Sequence, residues 1–97
     1  METTRKIIIV DKESIAELSY PATDVLTTKE EMIQRKLDAE RATLLGNNEH
    51  SKVKIIFEDN INTKQVETTI WGTTDKRIIL KGGMVIPLHR IHEIKYL

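Results

Sequence analysis

The sequence predicts one α+β domain in which an N-terminal helical segment packs on a five-stranded antiparallel small β-barrel. Three observations support this prediction. The 97 residues fit a single domain, residues 29–45 have helical periodicity, and short segments of alternating polarity fill the chain after residue 51. The pattern changes near residues 46–51, so residues 1–50 form the helical or irregular segment and residues 51–97 the barrel.

The clearest helix is predicted over residues 29–45. Thr28 and Glu31 have the spacing of a capping box, and Gly46 suits the position just after a helix. We expect its apolar face, including Leu37, to be buried. That face is made of Met32, Ile33, Leu37, Leu44 and Leu45, with Ala39 and Ala42 between them. Residues 6–10 are expected to form a short strand, followed by a brief helix that Asp11 caps and that runs through Leu18.

Five alternating or apolar segments are predicted to be strands joined by short turns, which implies an antiparallel meander. Gly82-Gly83 indicates a hairpin turn, and because Pro87 has no backbone N–H, the fourth strand is either an edge strand or ends there. The predicted strands span residues 52–59, 64–71, 77–81, 84–88 and 92–97.

Alternation places one set of side chains inside the barrel and Trp71 outside it, together with Ile56. The inward set is Val53, Ile55, Phe57, Val66, Thr68 and Ile70. Trp71 and Ile56 then form either an exposed binding patch or a second small core under the helix. We favour the covered arrangement, because the apolar face of the helix needs a surface to cover.

Composition limits the classes of function. The chain has no cysteine and carries no net charge. Residues 1–50 have a net charge of −3 and residues 51–97 one of +3, so the two halves can dock on each other, or the second half can form a basic ligand surface. The apolar run near the N-terminus is too short for a signal peptide, and no run is long enough for a membrane-spanning helix. We therefore expect a cytoplasmic protein that does not bind membranes.

No residue pattern indicates an active site. His89 and His92 form an H-x-x-H pair at the entrance to a strand, where no third ligand is close in sequence. Ser14, Ser19 and Ser51 lie in no nucleophile motif. We expect no catalytic activity, no metal, no cofactor and no small-molecule substrate.

The segment KGGMVIPLHRIHEIKYL, residues 81–97, resembles the end of Sm-like and SH3-like small barrels, in which a short 3₁₀ turn separates the last two strands. Residues 44–97, with LGNNEHSKVKIIFED, VETTIW and IPLHRI, further resemble a group of short uncharacterised bacterial proteins. More distantly, the pattern is similar to bacterial Rho-binding antiterminators. The resemblance implies a barrel without enzymatic activity.

The sequence thus predicts a non-enzymatic binding module that contacts another protein or a second copy of itself. The alternative is a nucleic-acid-binding domain, with RNA as the ligand of the basic C-terminal half. The candidate binding residues are Trp71, Lys54, Arg77, Lys81, His89 and Arg90.

Overall fold

The computed structural model describes residues 6–97, and these residues form one α-helix and seven β-strands in two sheets. The helix, α1, is Lys29–Glu49. The strands are β1 (Ile7–Ile9), β2 (Val53–Glu58), β3 (Thr63–Thr68), β4 (Ile70–Thr73), β5 (Arg77–Leu80), β6 (Val85–Pro87) and β7 (Ile91–Tyr96). Two 3₁₀ turns occupy Lys12–Glu17 and Leu88–Arg90.

The first sheet has the strand order β1-β3-β2-β7, and the second has the order β4-β5-β6. All neighbouring strands are antiparallel except β1, which runs parallel to β3. In the first sheet, Ile55 lies opposite Val66 on one side and Ile94 on the other. Only Thr69 separates β3 from β4, so the chain passes there from one sheet to the other.

The predicted five-stranded barrel is wrong, although the α+β class is correct. Neither sheet closes on itself, because β1 and β7 are the edges of the first sheet and β4 and β6 those of the second. Two features account for the difference. The predicted strand 64–71 is interrupted at Thr69, and β1, the short strand expected over residues 6–10, joins the first sheet as a parallel edge.

The predicted N-terminal helical segment is wrong as well. Before α1, the described chain has only β1, a six-residue 3₁₀ turn and a loop. Asp11 precedes the 3₁₀ turn as expected, but its side chain makes no capping hydrogen bond. The backbone N–H of Leu18 donates to the carbonyl of Ile15, which closes the last turn with 3₁₀ spacing.

The apolar core lies between the two sheets and under α1. Alternation correctly identifies the inward side chains of β2 and β3, including Val53, Ile55 and Phe57. Ile56, which we expected on the outer surface, is also buried. The buried apolar residues are Ile15, Ala39, Ala42, Val53, Ile55, Ile56, Phe57, Val66, Ile70, Ile78, Leu80, Ile86, Leu88, Ile91 and Ile94.

Helix α1 begins where the capping box predicts, since the Thr28 hydroxyl accepts a hydrogen bond from the backbone N–H of Glu31. It runs beyond the predicted end: Gly46 is inside the helix, and His50, with a φ of 56°, takes the left-handed position after it. At Gly46 the helix lies so close to β4 that a Cβ would be 2.5 Å from the Ile70 carbonyl oxygen.

The prediction that Leu37 is buried is wrong, because the helix packs through a different face. Its buried residues are Arg35, Ala39, Ala42 and Gly46. Small side chains let the helix backbone approach the sheet, and Ile33, Leu37 and Leu44 therefore face solvent, whereas Met32 and Leu45 are partly buried.

Candidate functional site

The six residues predicted to bind a ligand do not form one site. Their positions are β2 for Lys54, β4 for Trp71, β5 for Arg77, the turn after β5 for Lys81, and the second 3₁₀ turn for His89 and Arg90. Lys54 faces Glu67 of β3 and Lys95 of β7, whereas Arg77 lies opposite Pro87 of β6. Trp71 and Lys81 line one pocket, and Arg77 and His89 line another.

Arg90 is buried and hydrogen-bonds to two separate segments of the chain. Its Nε donates to the carbonyl of Glu58 at 3.0 Å, and its guanidinium also donates to the carbonyl of Thr23 at 2.8 Å. These bonds join the loop before α1 to the end of β2. The arginine is therefore occupied by backbone acceptors and offers no free cation to a ligand.

The two histidines of the H-x-x-H pair are engaged with different partners. The Nε2 atom of His89 lies 2.8 Å from the carbonyl oxygen of Pro21, and that of His92 lies 2.9 Å from Oε1 of Glu58. Among residues 6–97, no group of three or more histidines and carboxylates is placed to hold a metal ion.

Sequence reasoning missed a buried ion pair between α1 and the preceding loop. The two terminal nitrogens of Arg35 donate to the two carboxylate oxygens of Asp24, both at 2.9 Å, and one also donates to the carbonyl of Ile91 at 3.1 Å. Hydrogen bonding from Arg35 lowers the pKa of Asp24 below its ordinary value, although burial opposes the shift. The available signal was the position of Arg35 on the same helical face as Ala39 and Ala42.

A second buried ion pair stabilises the β2–β3 turn. The Asp59 carboxylate accepts from Lys64 at 2.7 Å and from the backbone N–H groups of Ile61 and Asn62. Burial alone would raise the pKa of Asp59, but these donors outweigh it, so the pKa lies below its ordinary value. This carboxylate has a structural role, because its hydrogen bonds come from the β2–β3 turn and from Lys64 near the start of β3.

An apolar stripe runs along the outward face of α1. It consists of Ile33, Leu37 and Leu44, which are 54%, 53% and 63% exposed. With 3.6 residues per turn, the three side chains lie within about 40° of one another around the helix axis. They are about 170° from the centre of the buried face, on the opposite side of the helix. No described helix, α1 included, is both long and apolar enough to cross a membrane. We refer to these three residues as the helix stripe.

A groove of about 510 Å³ adjoins the helix stripe. Its floor and walls are largely apolar, with the Asp24–Arg35 ion pair at one side. It lies between the N-terminal half of α1, the β4–β5 turn and the second 3₁₀ turn. The lining residues are Asp24, Lys29, Met32, Ile33, Arg35, Lys36, Leu37, Asp75, Lys76, Leu88 and His89.

Trp71 lies in a separate pocket of about 390 Å³ and is 48% exposed, so the expectation that α1 covers it is wrong. Gly46, Asn47 and His50, at the C-terminal end of the helix, line this pocket together with the indole. No carboxylate lines this pocket. We call it the Trp71 pocket; its residues are Gly46, Asn47, His50, Lys52, Thr69, Trp71 and Lys81.

The two surfaces differ in chemistry. The helix stripe and its groove are apolar and suit a protein partner, whereas the Trp71 pocket combines an aromatic face with lysines. Family models, curated proteins and solved structures were each compared with the chain, and none of these comparisons finds a match.

Proposed function

We propose that the protein is a non-enzymatic binding module that contacts another polypeptide through the helix stripe and the adjoining groove. The observation that carries the proposal is the orientation of α1. Its small residues pack inward, while Ile33, Leu37 and Leu44 stay exposed on the opposite face. Exposed large apolar side chains grouped on one helix face are typical of interaction sites on folded proteins.

A binding role is further supported by how the polar side chains are used. Groups that could act as acids or bases form structural contacts instead: Asp24 with Arg35, Asp59 with Lys64, and His89 with the backbone of Pro21. The two carboxylates whose pKa values are lowered, Asp24 and Asp59, are thus both held in ion pairs within the fold.

The proposal predicts protein cross-links at the helix stripe in the cells that produce the protein. A photoreactive residue placed at position 33 should form adducts with another polypeptide on illumination. Leu37→Lys should abolish these adducts, because a lysine ammonium would have to be desolvated in the contact. The matched control is Ile61→Lys, since Ile61 is also an exposed apolar residue but lies in the β2–β3 turn.

Both variants should melt within about 2 °C of the parent, because neither replaces a buried side chain. The readout is the pattern of cross-linked species on a denaturing gel, identified by mass spectrometry. Adducts that form equally in the parent, Leu37→Lys and Ile61→Lys, or that never form, would contradict the proposed role of the stripe.

A second candidate function, binding of single-stranded nucleic acid, is favoured by the Trp71 pocket. A half-exposed indole offers a stacking surface for a base, and Lys52 and Lys81 supply positive charge for phosphate. Within the part of the chain that the structure describes, neither lysine forms an ion pair with a carboxylate. Their charges remain available to a ligand.

Trp71 is the only tryptophan, so its fluorescence reports directly on this pocket. If the candidate is correct, a short single-stranded oligonucleotide should quench the emission at low salt, and added salt should reverse the quenching. Lys81→Gln should weaken the binding, whereas Lys95→Gln, an exposed lysine on β7, should not. An emission spectrum that no oligonucleotide changes at low salt would exclude the nucleic-acid candidate.

A further inference from the structure

We infer that the polypeptide bound at the helix stripe is a second copy of this chain, whose helix α1 lies antiparallel to the first. The inference rests on the proposed function, because it names the partner of the same site. It starts from the spacing of the exposed residues. Ile33, Leu37, Glu40 and Leu44 follow one another at intervals of four, three and four residues, the alternation that lines the seam of paired helices.

An antiparallel pair makes this seam self-complementary. When Ile33 of one copy lies opposite Leu44 of the partner subunit, the same contact is repeated on the other side of the twofold axis. Leu37 of each copy then lies near the axis, opposite Glu40 of the partner subunit. Three apolar side chains from each copy would leave water together.

The charges select the antiparallel orientation. Within one chain, the Lys36 ammonium lies 3.9 Å from a carboxylate oxygen of Glu40, and 3.5 Å from one of Asp75. In the antiparallel pair, Leu37 lies opposite Glu40 of the partner subunit, and Lys36 is the residue next to Leu37. The ammonium of Lys36 in each copy is therefore close to the carboxylate of Glu40 of the partner subunit. A parallel pair in register would place Glu40 against Glu40 of the partner subunit, and such like charges repel.

The rest of the fold leaves room for the second helix. Thr43 donates to the Ala39 carbonyl and bonds the Thr73 hydroxyl on one flank of α1, and Tyr96 donates to the Asp38 carbonyl on the other. These contacts lie at the sides of the helix, and the stripe projects between them. The contact covers about three helical turns and is smaller than the roughly 800 Å² per partner of a standard stable interface. We therefore expect a weak dimer.

Site-specific disulfide formation tests this arrangement. The chain has no cysteine of its own, so only the introduced thiols can form a disulfide. Two differently tagged variants of the full chain, Ile33→Cys and Leu44→Cys, are mixed and mildly oxidised. The antiparallel pair brings these two positions together and should give the mixed dimer. Each variant oxidised alone should cross-link far less, because like positions then lie about 16 Å apart along the helix axis.

Sedimentation of the unmodified chain at increasing concentration should show a monomer–dimer equilibrium. Leu37→Lys should weaken the dimer about tenfold or more, and Ile61→Lys should leave it unchanged. Cross-linking of Ile33→Cys with itself, in preference to Leu44→Cys, would overturn the antiparallel arrangement. A chain that stays monomeric and gives no mixed disulfide would overturn the second-copy inference. Photo-cross-linking at position 33 would then still decide whether the stripe contacts a different protein, so the two failures are distinguishable.

Discussion

Gly46→Ala should lower the free energy of unfolding by about 1–3 kcal/mol, the cost of forcing an extra group into a packed interior. An added Cβ would lie 2.5 Å from the Ile70 carbonyl oxygen and 2.8 Å from a methyl carbon of Thr69. Because the first of these is a backbone atom of β4, the helix or the strand must move. Urea denaturation of the parent and the variant measures the difference.

Intrinsic helix propensity predicts the opposite effect, an increase in the free energy of unfolding, so the sign of the measured change distinguishes the two. Alanine in the interior of a helix is about 1 kcal/mol more favourable than glycine. The control is Asn47→Ala, at the next and exposed position of α1, which should change the free energy of unfolding by less than about 0.5 kcal/mol. If Gly46→Ala were as stable as the parent or more stable, the close approach of α1 to β4 would be wrong.

Arg35→Met should cost about 3 kcal/mol, because it removes one partner of a largely buried ion pair. Asp24 would lose both hydrogen bonds to the guanidinium, and the Ile91 carbonyl would lose its donor. The value is at the low end of the range for buried pairs because the Asp24 side chain keeps some contact with water. Equilibrium unfolding in urea at neutral pH measures it.

The matched control is Arg41→Met on the exposed side of the same helix. Its guanidinium lies 5.4 Å from the centre of the Tyr96 ring, a contact worth about 0.5–1 kcal/mol at an exposed site. Equal losses for the two variants would contradict the structural role assigned to the Arg35–Asp24 pair.

The effect of Arg35→Met should also depend on pH. The pair lowers the pKa of Asp24 below its ordinary value of 3.8, so its contribution to stability is fully present above that pH. As the pH falls below 3.8 towards the pKa of the folded state, the carboxylate takes up a proton and the contribution is lost. The stability difference between parent and variant should therefore shrink in acid, which parallel urea titrations would detect.

Much of the local structure could be predicted from the sequence. The capping box at Thr28 and Glu31 marks the start of α1, and alternation identifies the inward residues of β2 and β3. These signals are local: a cap is a bond between residues three apart, and alternation follows from the two-residue repeat of a strand. The candidate site was predicted less well, since its six residues are spread over the surface: Trp71 and Lys81 share one pocket, and Arg77 and His89 another.

Long-range packing decided the rest. Apolar periodicity in α1 identifies a face of large side chains, but it does not say that this face turns inward. Helix α1 packs on the sheet through the face that carries Ala39, Ala42 and Gly46, and at Gly46 its backbone lies very close to β4. The same packing leaves Leu37 and Trp71 in solvent and buries Arg35 and Arg90 among acceptors from distant segments.

Local sequence signals predicted the α+β class, the capped start of α1 and the inward faces of β2 and β3. Contacts between distant segments fixed the two open sheets, the buried face of α1 and the acceptors bound by Arg35 and Arg90. The reason is physical. Caps and alternation are set by neighbours in the chain, whereas the direction of a helix face and the partner of a buried charge depend on segments dozens of residues away.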